Sequence, residues 1–301
     1  MKLFCFLLLF TIPISAQEIR VIKWETKHAS PPTQLERTNP KFATLLRFGV
    51  SNIPEPIIMQ FAGIGGAKLG LNKVQANTLQ KSIASYYQKM AKQRNAGDFP
   101  SIPSALEYCY SKDKSSHGFA TIYQPKNLTK ETPTILFLHG YGGSFSYYLH
   151  YLAETFPNHL IVCPAYGISM GRVPDSYLSE CKSAVEKLLK INLKKPTLIG
   201  LSAGGYGGFW HYSKNIDSYN RFICIASLPH FMMDKPLAQN AIIRLIAGGN
   251  EGYVENKQLD KRIKKLKLTN YRQVILPDQG HFFMLTDAQK TRATLKKMIS
   301  D

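Results

Sequence analysis

A serine hydroxyl becomes a useful nucleophile only when a tight turn projects it toward a base. One serine in this chain has that setting. Gly200, Ser202 and Gly204 form a GxSxG pentapeptide directly after the apolar run 197–199 (TLI), and a helix-like stretch with Gly205, Gly207 and Gly208 follows. The glycines on either side of Ser202 leave room where a strand and a helix crowd a strained turn. The spacing assigns Ser202 as the nucleophile, against the plainer reading of a glycine-rich turn holding a chance serine.

Such a nucleophile needs a base, an acid to orient it, and donors for the oxyanion. His281 follows the apolar run 273–276 (QVIL) in the segment LPDQGHFF, where Gly280 lets the backbone turn, and it is the expected base. His211 and His230 compete for that role and read more simply as structural histidines. The acid is expected after the preceding run, 241–247 (AIIRLIA), in the segment GGNEGYVE. Glu251 sits in its glycine-flanked turn, Glu255 lies one helical turn further, and Asp234 follows an earlier apolar run. Asp278, three residues from His281, makes a poor angle for a partner and reads as surface. The segment His139-Gly140-Tyr141-Gly142-Gly143 follows the run 133–138 (PTILFL). It assigns the backbone N–H groups of Tyr141 and Ala203 to an oxyanion hole and a structural part to His139.

These residues must be held by a regular frame. Continuous apolar runs at 133–138, 160–163, 197–199, 222–226, 241–247 and 273–276 are what strands buried on both faces require. Helical patterns separate them, clearest at 176–189, where Leu178, Cys181, Val185 and Leu188 share one face. Strands alternating with helices predict βαβ units and a mostly parallel sheet. Residues 105–109 and 118–123 are expected as two antiparallel leading strands. Residues 73–92 predict a helix with Val74, Leu79, Ile83, Tyr87 and Met90 along one face.

The order GxSxG, acid, then GH, with HG after an earlier strand, resembles the α/β-hydrolase superfamily over residues 101–301. The resemblance implies an open eight-stranded, mostly parallel α/β sheet flanked by helices, and acyl-enzyme chemistry through Ser202, His281 and Glu251 without a cofactor or metal. The acid departs from the pattern, since Asp is commoner there than Glu. Only residues 227–240 intervene where many relatives carry a lid, and residues 17–98 have no recognised counterpart, so that stretch is expected to cover part of the site mouth with residues 57–61 making the contact. The GLSAGG segment is also similar to that of polyester- and feruloyl-type esterases, which implies a small-molecule or polymer-derived ester as substrate. A peptidase of the same superfamily is the near alternative. The distant one is a non-catalytic member that binds a polyanionic envelope component.

The opening segment MKLFCFLLLFTIPISAQ has a lysine, an apolar stretch and a small-residue end, the pattern of a signal peptide cleaved after Ala16. Secretion or a periplasmic location is expected, with no transmembrane segment left after cleavage. The expected organisation is a signal peptide at 1–16, an N-terminal helical extension packed on the core at 17–98, and a catalytic domain at 99–301. The formal charge is +18, and cleavage removes only Lys2, leaving +17. Such a balance attracts anionic surfaces or acidic polysaccharides. Nothing in the sequence resembles a nucleic-acid-binding module, and the densest basic run, 261–267 (KRIKKLK), reads as an ordinary surface helix. Of the four cysteines past the signal segment, Cys163 and Cys224 lie in strand-like runs that suit buried thiols, and Cys109 and Cys181 leave disulfides open.

Overall fold

The apolar runs sort themselves by alternation onto the two faces of one sheet. The computed structural model describes residues 17–27, 40–65, 73–110, 117–228 and 237–301, so the expected signal segment at 1–16, His230 and Asp234 lie outside the described residues. Among those described, the strands are β1 (Glu18–Glu25), β2 (His117–Gln124), β3 (Thr134–Leu138), β4 (Leu160–Ala165), β5 (Thr197–Leu201), β6 (Arg221–Ile225), β7 (Ile242–Gly248) and β8 (Asn270–Leu276). They form an eight-stranded sheet in the order β1-β2-β4-β3-β5-β6-β7-β8. The β1–β2 and β2–β4 pairs are antiparallel and every later pair is parallel. Ile135 and Phe137 face one side with Ile199, Leu201, Ile223 and Ile225. Leu136 and Leu138 face the other with Leu198, Phe222 and Cys224. This is the period of two that a pleated strand imposes.

The helices are α1 (Pro40–Asn52), α2 (Glu55–Gly65), α3 (Lys73–Asn95), α4 (Leu106–Tyr110), α5 (Ser146–Thr155), α6 (Asp175–Leu189), α7 (Ala203–Lys214), α8 (Gly252–Glu255), α9 (Gln258–Leu266), α10 (Phe283–Thr286) and α11 (Ala288–Ser300). The face of Phe137 is covered by α3, α5, α10 and α11 through residues such as Ile83, Leu149, Phe283 and Leu295. The opposite face is covered by α6, α7 and α9 through Leu178, Phe209 and Ile263. The basic run 261–267 falls largely on α9, where Ile263 and Leu266 are buried while Lys261, Lys264 and Lys265 face solvent.

Two differences from the sequence reading have simple causes. Residues 105–109 do not form a strand: Leu106 and Cys109 are buried three apart on one side of α4, a helical period in a run too short to reveal it. The second leading strand is instead β1, drawn from the stretch assigned to the extension. Its Ile22 and Trp24 are buried while Lys23 and Glu25 are exposed, the alternation of an edge strand with one dry face. Helices α2 and α3 also share a core with the sheet, since Met59, Leu79, Ile83 and Tyr86 join the cluster of Tyr123 and Phe137. Cys109, Cys163, Cys181 and Cys224 are buried thiols and none forms a disulfide. Among the described residues no helix is long and apolar enough to cross a membrane.

Candidate active site

Ser202 stands between the end of β5 and the start of α7 with φ 52° and ψ −116°, a left-handed conformation that a non-glycine residue holds only under strain. Its N–H donates to the Ile225 carbonyl at 2.8 Å, which ties the turn to β6. The turn is possible because α7 passes so close to the sheet. A Cβ on Gly204 would lie 2.2 Å from the Leu138 carbonyl oxygen, and one on Gly200 would lie 2.4 Å from that of Gly204. Both distances are impossible for a side chain, so the glycines of the pentapeptide are demanded by packing.

The loop after β8 brings His281 to this serine. His281 Nε2 lies 2.9 Å from Ser202 Oγ, and His281 Nδ1 lies 2.9 Å from Glu251 Oε2. A carboxylate only accepts hydrogen bonds, so Nδ1–H donates to Glu251 and Nε2 accepts from the serine hydroxyl. Glu251, in the turn after β7, is buried, and its other oxygen is occupied. Oε1 accepts the Gly248 N–H at 3.0 Å and the Tyr253 hydroxyl at 2.9 Å. Burial and the adjacent Glu251 carboxylate push the Tyr253 phenol well above its ordinary range, so it stays a donor. A chain of this kind can pass a hydroxyl proton to the imidazole while the carboxylate steadies the charge that results.

The glycine loop after β3 lies alongside: a Cβ on Gly140 would sit 3.3 Å from Ser202 Cβ. Gly142 donates its N–H to the Ile168 carbonyl at 2.8 Å, whereas among the described residues no group accepts the N–H of Tyr141 or of Ala203. His139 is fully buried, with Nδ1 on the Gly140 carbonyl at 2.8 Å and Nε2 accepting the Tyr166 N–H at 3.4 Å. Burial pushes its pKa down to about 4, so it holds the loop as a neutral ring.

The other candidates stand apart. His211 is buried against Tyr219 and Asp175, with burial first among the influences that lower its pKa. Glu255 is exposed and has no hydrogen bond to His281 among the described residues, and Asp278 is an exposed turn residue at φ 59°. Among the described residues no three His, Cys, Asp or Glu side chains gather as metal ligands would.

Two recesses meet at Ser202. One is an apolar cavity of about 440 Å³ whose walls include Met59, Tyr141, Phe145, Tyr148, Phe282 and Leu285. The other, about 630 Å³, is more polar and is bounded by Gln75, Tyr206, Asn250, Tyr253 and Glu255. Met59 on α2 and Gln75 on α3 bring residues of the N-terminal stretch to both. Residues 57–61 were the expected contact. Met59 makes it, Ile57 is half-exposed outside the lining, and the side chain of Phe61 is outside the description. Sequence reading missed Tyr253, although its position two residues past Glu251 was a usable signal, and it missed Gln75, for which no local signal exists.

No protein-family model matches the chain. No curated protein matches it. Among solved structures it is similar to an S-formylglutathione hydrolase from Staphylococcus aureus, with 15% identity over 63% of this chain and 93% of the other, at a TM-score of 0.49. It is also similar to a dienelactone hydrolase from Anabaena variabilis, with 18% identity over 63% of this chain and 94% of that one, at a TM-score of 0.47. A third is Est1E from Butyrivibrio proteoclasticus, with 15% identity over 62% and 96% of the two chains, at a TM-score of 0.44. The sheet order β1-β2-β4-β3-β5-β6-β7-β8, antiparallel only at β2, with a left-handed serine at the turn from β5 to α7, is that of the α/β-hydrolase fold, and this chain has it.

Proposed function

We propose that the chain is a secreted serine hydrolase that cleaves a carboxylic ester through an acyl-serine intermediate. Ser202 is the nucleophile, His281 the general base and then acid, Glu251 the orienting carboxylate, and the N–H groups of Tyr141 and Ala203 the oxyanion hole. The observation that carries this reading is the continuous hydrogen-bond chain from Ser202 Oγ through His281 to Glu251, both links at 2.9 Å. Secretion rests on the opening segment alone.

In the first half-reaction Ser202 Oγ bonds to the ester carbon as its proton passes to His281 Nε2. The carbonyl oxygen takes the negative charge, where two backbone donors stabilise it. Collapse breaks the bond to the alcohol oxygen, which leaves with the proton held by His281. Water then repeats the sequence: His281 takes its proton, hydroxide attacks the acyl carbon, and Ser202 departs with the proton returned. The acid product and the free serine close the cycle. The apolar cavity supports an ester with an apolar portion, and the polar recess gives the remaining portion a wet exit.

Fluorophosphonate labelling tests the reading directly. The purified chain should incorporate the probe at Ser202, and Ser202→Ala should abolish labelling while the fold persists. Ester hydrolysis should drop at least about a thousandfold in that variant. A variant that keeps a substantial part of either signal overturns the mechanism.

A further inference from the structure

Large apolar side chains face solvent at the site and on helices connected to it. Tyr141, in the wall of the apolar cavity, is 65% exposed, and Val74, next to Gln75 of the polar recess, is 74% exposed. Leu45 and Phe48, three apart on α1, are 62% and 66% exposed. That helix reaches the glycine loop by a short path: Arg47 Nε donates to the Tyr110 carbonyl at 3.0 Å, and the Tyr110 hydroxyl donates to the Gly142 carbonyl at 3.2 Å. Single exposed apolar residues need no explanation, but a group on elements that line or adjoin one site does.

Charge says what this face meets. Within α1, α2 and α3 there are seven lysines and arginines and one acid, Glu55. That acid is engaged by Tyr87, Ser104 and Ser146, and even counting it seven bases against one acid leave these helices an excess of six positive charges. Lys41 and Lys73 are exposed on the same helices as Phe48 and Val74. Helices that combine exposed Leu and Phe with an excess of Lys and Arg settle in the headgroup layer of an anionic bilayer. An acidic polysaccharide would use the charge but gain little from the apolar side chains.

We propose that α1 and the start of α3 form a docking face for an anionic lipid surface, which seats the opening of the Ser202 site against the bilayer and delivers an acyl ester from it. The binding part stands whether or not Ser202 is a nucleophile. The delivery part rests on the ester-hydrolase reading.

Vesicle co-sedimentation of the purified chain tests the docking. Vesicles of phosphatidylcholine mixed with phosphatidylglycerol should pull the chain down, and vesicles of phosphatidylcholine alone should do so poorly. The double variant Leu45→Ser, Phe48→Ser should lower partitioning at least about tenfold. Lys41→Glu with Lys73→Glu should lower it by about fivefold per lost charge, more at low salt. All four sites are exposed, so the variants should melt with the parent and cleave a soluble short-chain ester at the parental rate. Absence of vesicle binding at low salt overturns the proposal. So does unchanged binding by the double serine variant, or retention on an acidic polysaccharide matrix without vesicle binding, which would mark a generic polyanion surface. Loss of soluble-ester cleavage in the parent would instead fault the ester-hydrolase reading and leave the docking intact.

Discussion

Glu55 Oε1 accepts the backbone N–H of Ser146 at 2.8 Å, across 91 positions of chain. Ser146 opens α5, and Phe145, its N-cap residue, supplies no side-chain cap. The carboxylate of α2 therefore does what a local Ser or Asp would ordinarily do, adding negative charge at a helix N-terminus. It also accepts the hydroxyls of Ser146, Tyr87 and Ser104, at 2.6, 2.5 and 2.5 Å. Through Phe145 the same junction borders the apolar cavity. Glu55→Ala strands three hydroxyls and an amide at once. It should cost roughly 2 to 3 kcal/mol of stability, read as a lower denaturation midpoint, and should raise KM for esters more than it lowers kcat. An unchanged midpoint would show that the N-terminal helices are not tied to α5 through this residue.

On the ester-hydrolase reading, Met59 gives the N-terminal stretch a part in selecting the substrate. It is buried and forms one wall of the apolar cavity. Truncation to Ala lengthens the cavity and removes contacts from short acyl groups. The ratio of kcat/KM for long over short acyl esters should rise by roughly tenfold. The variant should also lose about 2 to 5 kcal/mol of stability, as core truncations do, so Met59→Leu serves as the nearly isosteric control. A chain-length profile that stays put in Met59→Ala would remove the extension from the site.

How much of this was legible beforehand follows from where each signal lives. The strands β3 to β7 are apolar on both faces, and that composition alone reveals them. Ser202, His281 and Glu251 were each readable because a turn after an apolar run is a local pattern, even though the three are joined only by the sheet. β1 was not readable in the same way. Its alternation in EIRVIKWE is too ordinary to predict a partner 92 to 106 residues downstream, as the pairing of Glu25 with His117 and of Glu18 with Gln124 requires. The short helix α4 resembled a strand because five residues cannot separate a period of two from one of 3.6. Glu55 and Gln75 gave no signal, since their roles come from tertiary contacts with residues far along the chain.

Acid should destabilise the fold in two stages. Burial pushes His139 and His150 down from 6.5 to about 4, so the folded chain keeps them neutral while the unfolded chain protonates them. His150 is satisfied as a neutral ring, with Nδ1 accepting from Tyr86 at 3.0 Å and Nε2 donating to Gln93 at 2.8 Å. Between pH 6.5 and 4 the unfolded state therefore binds more protons, and stability falls with pH. Glu154 acts lower. Burial works to raise its pKa, but hydrogen bonds from Lys89, Gln93 and Arg292 outweigh that and hold it down to about 2. Its contribution is present above 4.5 and lost as pH drops from there toward 2. Melting temperature should decline from pH 7 to pH 5, and less steeply in His150→Gln, which cannot protonate. Parallel declines in parent and variant would rule out His150 as a source of the first stage.

The occupancy of Glu251 decides the last prediction. Oε1 is committed to two donors, the Gly248 N–H and the Tyr253 hydroxyl, while Oε2 faces His281 Nδ1. In Glu251→Gln the amide oxygen must keep the two donors, because an NH₂ group there would leave both unpaired. The NH₂ group then faces Nδ1, which can meet it only as an acceptor. That moves the ring proton to Nε2, the atom that must receive the proton of Ser202. The substitution thus fixes the wrong tautomer as well as removing the charge, and kcat should fall by about three to four powers of ten. Tyr253→Phe frees one position on Oε1, relaxes that constraint and should cost the parent enzyme only about tenfold. Combined with Glu251→Gln it should recover part of the lost rate, since only the Gly248 N–H then opposes turning of the amide. Glu255→Gln, on an exposed residue, should stay near the parental rate and within roughly 0.5 kcal/mol in stability. If Glu255→Gln is the crippled variant, or if Tyr253→Phe deepens the Gln defect, the acid does not work through this tautomer lock.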